Sequence, residues 1–363
     1  MSKVILISQF PLPFSGIGSW TTLYGNYFES GHRQIDHIIC PEPEKRFDAI
    51  QYGIVKSGIF SKINEKMQYF RVGFVNKLES MISNDEKCVI QIIDSFHLAG
   101  HVHRMLQKKG IRHNCHIQFF YHGFAPFWRS GLTPDFYREI DEIVLLTNDS
   151  YKAHLNHYIN FPFKVSVLYN GVDVNRFRPL SPEKKSELKS EFGVSGKKVF
   201  LWCSNNRPKK GLHVVLEAWK NIHREHKDAM LFVVGAEKAN PESGVKYFGR
   251  IPNKELAKYY QVADCYLFPT LCQEGFGMSL VEALNCGCHC IASHQGGVPE
   301  VLQYGKLGKL IDRPNFASEW EKAISDYLTG KEPAITLEKP MYSMQDWNEG
   351  MDRIVLSAKQ AIS

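Results

Sequence analysis

The sequence predicts an α/β protein of two domains, each built around a parallel sheet. Short runs rich in Val, Ile, Leu and Phe alternate with longer amphipathic stretches along nearly the whole chain, a pattern typical of repeated βα units. A length of 363 residues suits two domains of ordinary size. A content of 44% hydrophobic and 23% charged residues is typical of folded soluble proteins. We therefore expect two doubly wound, Rossmann-like domains.

Twelve apolar segments are predicted as strands, six in each half of the chain. The first six are VILISQF (4–10), IDHIIC (35–40), CVIQIID (88–94), HIQFFYH (116–122), EIVLLTN (142–148) and KVSVLYN (164–170). The second six are KVFLWC (198–203), AMLFVVG (229–235), KYFGRI (246–251), CYLFPT (265–270), CHCIAS (288–293) and KLGKLID (306–312). Ligands of doubly wound folds bind beyond the carboxyl ends of the strands. We therefore expect these ends to face a shared cleft between the domains, with functional residues in the loops that follow strands.

The domain boundary is expected in the polar segment that separates the two series of strands. This segment starts at VDVNRFRPL, is rich in charge and lacks a long apolar run. It predicts an N-terminal acceptor-binding domain over 1–172 and a C-terminal donor-binding domain over 173–344. Apolar residues recur at helical spacing within 345–363, which predicts a terminal helix that packs back on the N-terminal domain.

Charge and cysteine content limit the partners and the compartment. The formal net charge of +6 is too small for a chain of this size to make nucleic acid the expected partner. Nine cysteines in a chain without an export signal favour reduced thiols and a cytoplasmic protein.

The segment 60–82 is basic and amphipathic. It carries Lys62, Lys66, Arg71 and Lys77 among apolar residues. Such a helix could lie on an anionic membrane, as a peripheral contact at the inner membrane face. Most amphipathic helices instead bury their apolar stripe in the protein core. Both interpretations stay open.

The most informative stretch is EGFGMSLVEALNCGCHCIASHQGGVPEVL, residues 274–302. A glycine-containing loop leads into the predicted helix MSLVEALNC, and the unpaired N–H groups at a helix start form an anion site suited to a diphosphate. Glu274 precedes this helix, and Glu282 lies within it, about two helical turns further along the chain than Glu274. Carboxylates accept hydrogen bonds and therefore suit hydroxyl groups. The stretch predicts a ligand that carries both phosphates and sugar hydroxyls.

This stretch resembles the donor-binding signature of the retaining glycosyltransferases of family 4, which have the GT-B fold. The resemblance rests on Glu274 and Glu282, which have seven residues between them, and on the GGVPEV that follows. Further stretches match the family's pattern in order, so that it covers most of the chain. They are FPLPFSGIGSW (10–20), YHG (121–123), YNGVD (169–173), RPKKGLHVVLEAW (207–219) and FGRIPNKEL (248–256).

The resemblance implies a role for each matching residue. Three catalytic residues are implied: Glu274 would hold the donor sugar, Lys210 the diphosphate, and His122 would contact the sugar near the reacting centre. His122 ends a predicted strand, where ligands of such folds bind, although a lone histidine there can also be structural. Glu282 would hold the ribose. The other donor-binding residues implied are Gly16, Gly18, Asn205, Arg207, Arg250, Gly275, Phe276, Gly277, Met278 and Ser279.

Asn205 departs from the family's pattern. Many relatives carry an arginine at this position, five residues before the lysine that corresponds to Lys210. Arg207 could supply the missing cation, because a planar guanidinium group suits phosphate oxygens.

No metal ion or other cofactor is expected. The chain has no Asp-x-Asp pair; the nearest match is Asp173-Val-Asn175. Lys210, Arg207 and the helix dipole would then stabilise the departing diphosphate. The resemblance implies retention of configuration by front-face attack without an enzymatic nucleophile, so that Glu274 would orient the sugar.

The expected reaction moves a hexose-type sugar from a nucleotide-diphosphate sugar to a glycan or lipid-linked saccharide in cell-envelope or exopolysaccharide synthesis. UDP-sugars are the commonest donors among similar enzymes. The acceptor would bind mainly to the N-terminal domain, where Trp20, Phe124, Phe127, Trp128 and Arg129 could line its site. The segment FAPFWRSG that holds most of them could equally be a packed loop.

Three other functions compete with this one. A sugar-nucleotide epimerase of GT-B-like fold and an inactive sugar-nucleotide-binding protein remain alternatives. An NAD-dependent oxidoreductase is disfavoured, because Thr21 replaces the third glycine of G-x-G-x-x-G.

The segment NCGCHC contains residue types that bind zinc in other proteins. In a strand, however, Cys288 and Cys290 would point to one face and His289 to the other, so a zinc site is not expected.

Overall fold

The computed structural model describes residues 2–14, 20–56, 69–126, 136–156, 163–333 and 335–363. The chain divides into two compact units. The first comprises Met1–Asn170 together with Met344–Ser363, and the second comprises Gly171–Ser343. The terminal helix that the sequence predicts therefore belongs to the first unit.

The first unit is built on a seven-stranded parallel sheet with the strand order β3-β2-β1-β4-β5-β6-β7. Every pair of neighbours is parallel, and β1 and β4 share the register Ile5↔Ile90. Near-continuous apolar strands such as β4 are expected where helices cover both faces of a sheet. The strands are β1 Lys3–Ile7, β2 His37–Cys40, β3 Gln51–Ile54, β4 Cys88–Ile93, β5 Cys115–Tyr121, β6 Glu142–Leu145 and β7 Lys164–Val167.

Helices cover both faces of this sheet. One face packs against helices 69–81 and 96–108 through Phe74, Leu78 and Val102. The other packs against helices 20–29 and 344–361. The α-helices of this unit are Trp20–Glu29, Tyr69–Met81, Phe96–Lys108, Phe136–Glu139, Asn148–Leu155 and Met344–Ala361, with a 3-10 turn at Arg112–Asn114.

The second unit is built on a six-stranded parallel sheet with the order β10-β9-β8-β11-β12-β13. Its strands are β8 Lys198–Cys203, β9 Ala229–Val234, β10 Val245–Tyr247, β11 Cys265–Phe268, β12 His289–Ser293 and β13 Lys309–Ile311. Its α-helices are Pro182–Glu191, Leu212–Glu225, Ala257–Val262, Met278–Asn285, Val298–Val301 and Ala317–Leu328. Short 3-10 turns lie at Pro208–Lys210, Asn253–Glu255 and Gln303–Gly305.

Local sequence explains where these helices start. Ser181 caps the helix that follows it by accepting a hydrogen bond from the Lys184 N–H, and Pro182 occupies the first helical position, where its missing N–H costs nothing. Thr147 caps helix 148–155 in the same way, through the Ser150 N–H.

The α/β fold class predicted from the sequence is confirmed, and each of the twelve predicted segments overlaps a strand. The sequence analysis missed β3, Gln51–Ile54. This strand is short, lies at the sheet edge and is partly exposed, so its four residues form no apolar run.

The basic segment 60–82 is described only from residue 69 onward. In the described helix, the Phe74 and Leu78 side chains are fully buried in the core of the first unit. This part of the apolar stripe therefore faces the protein interior. Within the described ranges, no helix has the length and apolar character needed to span a bilayer.

Candidate active site

The candidate site lies where the strand order of the second sheet reverses. Going outward from β8 the chain runs one way through β9 and β10, and the other way through β11, β12 and β13. In open α/β sheets, ligands bind at this switch point, beyond the carboxyl ends of the strands. The loops 204–211 and 269–277 follow β8 and β11 and therefore meet at this edge.

Lys210 is held in place by backbone contacts between these two loops. The Leu271 N–H donates to the Lys209 carbonyl at 2.8 Å, and the Trp202 indole donates to the Lys210 carbonyl at 3.2 Å. Gly211 has a φ of +69°, and a Cβ added there would lie 1.8 Å from the Pro269 carbonyl oxygen. Only glycine permits this approach, which places Lys210 beside the loop that carries Glu274.

Lys210 and Glu274 form an ion pair. The Lys210 ammonium group donates a hydrogen bond to Glu274 Oε1, and the Thr270 hydroxyl donates to the same oxygen at 3.0 Å. The two side chains are 21% and 17% exposed, so the pair is only partly accessible to solvent. The resemblance assigns the diphosphate to Lys210 and the donor sugar to Glu274. In the structure these two side chains contact each other directly.

Two glycines of the GGVPEV segment support the backbone of Glu274. The Gly297 N–H donates to the Glu274 carbonyl at 2.8 Å. Gly296 has a φ of +64°, and a Cβ there would lie 2.3 Å from the same carbonyl oxygen. This segment therefore fixes the position of Glu274.

The helix Met278–Asn285 starts immediately after the Glu274 loop. Gly277 precedes it with a φ of +94°, in the left-handed region. Phe276 is buried and packs edge-on against Tyr342 at 5.2 Å between ring centroids. Its side chain thus belongs to the core, and only its backbone could serve a ligand. The Ser279 hydroxyl lies 2.9 Å from the Tyr266 hydroxyl, while Gly275 is buried and Met278 partly buried.

Glu282 is partly buried on the same helix. Burial raises the pKa of this carboxyl group from 4.5 to about 7, and the charge of Arg176 partly opposes the rise. Near neutral pH the group is therefore divided between its acid and carboxylate forms. Arg176 is a cation that the sequence analysis did not connect with the site; it lies in the VDVNRFRPL segment, far from Glu282 in sequence.

Three further residues implied by the resemblance, one of them neutral, lie at the same sheet edge. Asn205 and Arg207 are exposed in the loop after β8; the Arg207 N–H donates to the Asn205 carbonyl at 2.7 Å, and the Lys210 N–H donates to the Arg207 carbonyl at 2.8 Å. Arg250 is exposed in the loop after β10, two strands away from β8 in the sheet order.

His122 lies in the first unit, at the carboxyl end of β5. Its ring stacks on Trp20, with 4.9 Å between ring centroids and 16° between planes. Asp94, which follows β4, lies 3.0 Å from His122 Nδ1 through Oδ2. Its other oxygen accepts the His122 N–H at 2.8 Å. Gly16 and Gly18, and the acceptor candidates Phe127, Trp128 and Arg129, lie outside the described residues.

The loop after His122 is packed closely. The Tyr121 hydroxyl donates to the Ala125 carbonyl at 2.7 Å, and a Cβ at Gly123 would lie 2.2 Å from the Tyr121 hydroxyl oxygen. The Ser150 hydroxyl donates to the Phe124 carbonyl. The described part of this segment is therefore a packed loop.

Residues 184–342 match the family described as glycosyl transferases group 1. The matched region includes the whole Lys210–Glu274 site and the helix that carries Glu282.

Two curated relatives align with about half of this chain or less. Spore coat protein SA of Bacillus subtilis is 26% identical over 212 residues, which cover 53% of this chain and 56% of the relative. The GDP-mannose-dependent alpha-(1-6)-phosphatidylinositol monomannoside mannosyltransferase of Mycolicibacterium smegmatis is 28% identical over 159 residues, which cover 39% and 41%. The chain thus spans about half the length of the curated relatives that it matches.

The likeness to solved structures extends over the whole chain. Anabaena HepE in complex with UDP and glucose aligns with a TM-score of 0.64 and 15% identity, over 100% of this chain and 98% of that one. At this identity the likeness shows the fold alone. With two parallel Rossmann-like sheets, that fold is GT-B, as the sequence resemblance implies.

The cysteines of NCGCHC are core residues. Cys288 and Cys290 are buried, and burial raises the pKa of the Cys288 thiol to about 12. The His289 ring stacks on Tyr327 at 4.8 Å. Across the described ranges, no three or more His, Cys, Asp and Glu residues are grouped so that they could hold a metal ion.

Sequence reasoning missed two polar residues that contact the candidate site residues. Thr270 is the last residue of the predicted strand CYLFPT, and Asp94 is the last residue of CVIQIID. Both are polar residues that end otherwise apolar strands. That position was itself a usable signal, because it is the edge at which ligands of this fold bind.

Proposed function

We propose that the protein is a retaining glycosyltransferase that moves a hexose-type sugar from a nucleotide-diphosphate sugar to a glycan or lipid-linked saccharide. The observation that carries this proposal is the Lys210–Glu274 ion pair beside the start of helix 278–285. The match of residues 184–342 to the family described as glycosyl transferases group 1 supports it.

The ion pair suits a ligand with two kinds of group. A diphosphate would accept hydrogen bonds from Lys210 and from N–H groups of the helix start, and sugar hydroxyls would donate to Glu274. A ligand with phosphates alone would separate Lys210 from Glu274 and leave a partly buried carboxylate without its cation, which is costly. A sugar nucleotide would satisfy both groups.

The leaving diphosphate would be stabilised by the protein's own positive charges. Lys210 and Arg207 lie in one loop at the sheet edge, and the N-terminal end of the helix adds partial positive charge. Glu274 would orient the sugar, and transfer would proceed on the face from which the diphosphate departs.

We further propose a UDP-sugar as donor and an acceptor in cell-envelope or exopolysaccharide synthesis. The structural likeness to HepE, described with UDP and glucose, supports a uridine donor. The name of the mycobacterial relative specifies GDP-mannose and a phosphatidylinositol mannoside, which supports a lipid-linked acceptor and makes the base a question for experiment.

Thermal unfolding with UDP-, GDP- and ADP-sugars tests the donor. A ligand present at a hundred times its Kd stabilises the folded state by about 2.7 kcal/mol, so the true donor should raise Tm by several degrees. Lys210→Ala should abolish the shift, and the exposed neighbour Lys209 offers the matched control Lys209→Ala. No shift with any sugar nucleotide would contradict the proposal.

Incubation with the donor alone separates the proposed function from the alternatives. Slow release of free sugar and nucleotide would support a transferase that uses water as a poor acceptor. Isomerised donor would instead indicate an epimerase, and binding without turnover in any acceptor screen would indicate an inactive binding protein.

A further inference from the structure

We propose that the first unit contains a buried water-binding site next to His122, between the Tyr24 hydroxyl and the side-chain amide of Asn170. The site would hold one water molecule that forms hydrogen bonds with both groups. It goes beyond the proposed function, because it does not depend on the reaction that the protein catalyses.

The site is a small pocket at the carboxyl ends of β5, β6 and β7. Tyr24 reaches it from helix 20–29, and Asn170 lies in the segment that follows β7. Tyr121 and His122, at the end of β5, provide two further polar side chains. The other residues that line the pocket are apolar: Phe120, Val144, Leu146, Leu168 and Trp347.

Two polar groups in this pocket are buried without a protein partner. Tyr24 is 1% exposed and Asn170 is 5% exposed. Among the residues that the structure describes, neither the Tyr24 hydroxyl nor Asn170 Oδ1 has a hydrogen-bond partner. Buried polar groups are nearly always hydrogen-bonded to protein or to ordered water, because an unpaired one is costly. Two such groups in one pocket therefore indicate a shared ligand.

The pocket has room for a single water molecule. A volume of about 10 Å³ is open to the centre of a water-sized sphere, which is about the space that one water molecule needs. A sugar or a phosphate group is too large for it. Of the described residues that line the pocket, none is Asp or Glu, so a metal cation would lack a charged ligand.

The hydrogen-bonding groups also suit water. Burial, together with the nearby charge of Asp94, raises the pKa of the Tyr24 phenol above its ordinary value, so the hydroxyl keeps its hydrogen and donates. Asn170 Oδ1 accepts. A water molecule can accept from Tyr24 and donate to Asn170 at the same time. With the amide turned over, its NH2 group faces the pocket and the water accepts from it instead.

The water would connect elements whose ends surround His122. The Tyr24 ring is held by edge-on contacts with Trp20 and Trp347, with ring centroids 6.1 and 5.3 Å away. Asn170 is the last residue of the first unit before the chain enters the second. A bridging water would therefore tie helix 20–29 to the point at which the chain leaves the first unit.

A high-resolution crystal structure of the full chain without ligands tests the site directly. We expect an ordered water within about 3.2 Å of both Tyr24 Oη and the side-chain amide of Asn170. The lack of density for this water, or a direct hydrogen bond between the two side chains, would overturn the proposal.

The sign of the stability change in Tyr24→Phe is a second test. Removal of a hydroxyl that is bonded to water breaks a hydrogen bond, so we expect the equilibrium constant for urea unfolding to rise about fivefold. Removal of an unpaired hydroxyl would instead leave the protein as stable or more stable, which would contradict the proposal. Tyr27→Phe is the reference, because Tyr27 lies on the same helix and donates its hydroxyl to Asp352.

A double variant tests whether the loss passes through Asn170. Asn170→Leu replaces the second polar group by an apolar one, so the water should leave the pocket. In this background Tyr24→Phe should cause no further loss of stability, because the hydroxyl no longer has a partner. An equal loss in both backgrounds would refute a shared site. If Asn170→Leu does not fold, the crystal structure of the wild type decides.

Discussion

At the scale of single residues, the structure shows contacts that spacing cannot reveal. The sequence named Lys210 and Glu274 separately, but their ion pair depends on the close approach of Gly211 to Pro269. Likewise, the sequence shows Asp94 as a polar residue at the end of a strand. Its hydrogen bond with the His122 N–H is made from a left-handed backbone conformation, which the sequence does not show. Such three-dimensional contacts explain why the sequence named candidate residues without naming their partners.

The raised pKa of Glu282 predicts a pH-dependent cost to stability. The folded-state pKa of about 7 exceeds the ordinary value of 4.5, so between these values the folded protein binds more protons than the unfolded chain. The contribution of Glu282 to stability therefore falls as pH rises from about 4.5 to 7, by at most about 3 kcal/mol.

Glu282→Gln tests this cost, because glutamine resembles the protonated acid. Urea unfolding should show the variant more stable than the wild type at pH 8, with little difference at pH 5. The exposed Glu187→Gln serves as the control and should behave alike at both values. An equal effect of Glu282→Gln at pH 5 and pH 8 would contradict the assignment.

Arg207 is expected to take the role of the arginine that many relatives carry at the position of Asn205. Arg207→Ala should weaken donor binding about tenfold, which corresponds to about 1.4 kcal/mol, as measured by calorimetry. The control is Arg224→Ala, which changes an exposed arginine on helix 212–225. If Arg207→Ala leaves the donor Kd unchanged while Lys210→Ala abolishes binding, a second cation at this position is ruled out.

At the scale of elements, apolar runs predicted the strands well because a parallel sheet covered on both faces needs them. Segments such as CVIQIID and KVFLWC can be recognised as strands from their apolar residues, because these strands are buried on both faces. The edge strand β3 is partly exposed and carries no such signal. Strand order within each sheet also required the structure, because pairing between distant segments leaves no local trace.

The turn between β8 and helix 212–225 provides a stringent test at this scale. Gly211→Ala should destabilise the protein by at least about 2 kcal/mol, because the new Cβ would meet the Pro269 carbonyl and because φ is +69°. Gly193→Ala is the matched control, since Gly193 has a φ of +68° but no atom within 4 Å of the added Cβ.

Denaturant unfolding measures both variants. The Gly193→Ala change should cost only about 1 kcal/mol, the conformational term alone. Gly211→Ala should in addition weaken donor binding, because it displaces Lys210. Equal costs for the two variants would show that the contact with Pro269 is unimportant.

At the scale of the whole molecule, the sequence correctly indicated two parallel-sheet units and the GT-B fold. Residues 344–363 belong to the first unit. The apolar residues of the terminal helix pack in the core of that unit. The acceptor could not be predicted, because the loops that would recognise it carry no periodic pattern and serve recognition rather than folding.

The proposed transfer reaction should need no divalent cation and should retain the configuration of the sugar. Lys210, Arg207 and the helix start would supply the positive charge that a metal provides in other transferases. Activity should therefore persist in EDTA, and NMR of the product should show the anomer of the donor. Loss of activity in EDTA that Mg²⁺ or Mn²⁺ restores, or an inverted product, would contradict this mechanism.

The return of the chain to the first unit affects the order in which the protein can fold. Trp347, Met351 and Val355 fill the same core as Val4 and Val89. Synthesis proceeds from the N-terminus, and domains generally fold as units while the chain emerges. The core of the first unit therefore stays incomplete on the ribosome until the whole second unit has been made, so the unit that is synthesised first is the last to be finished.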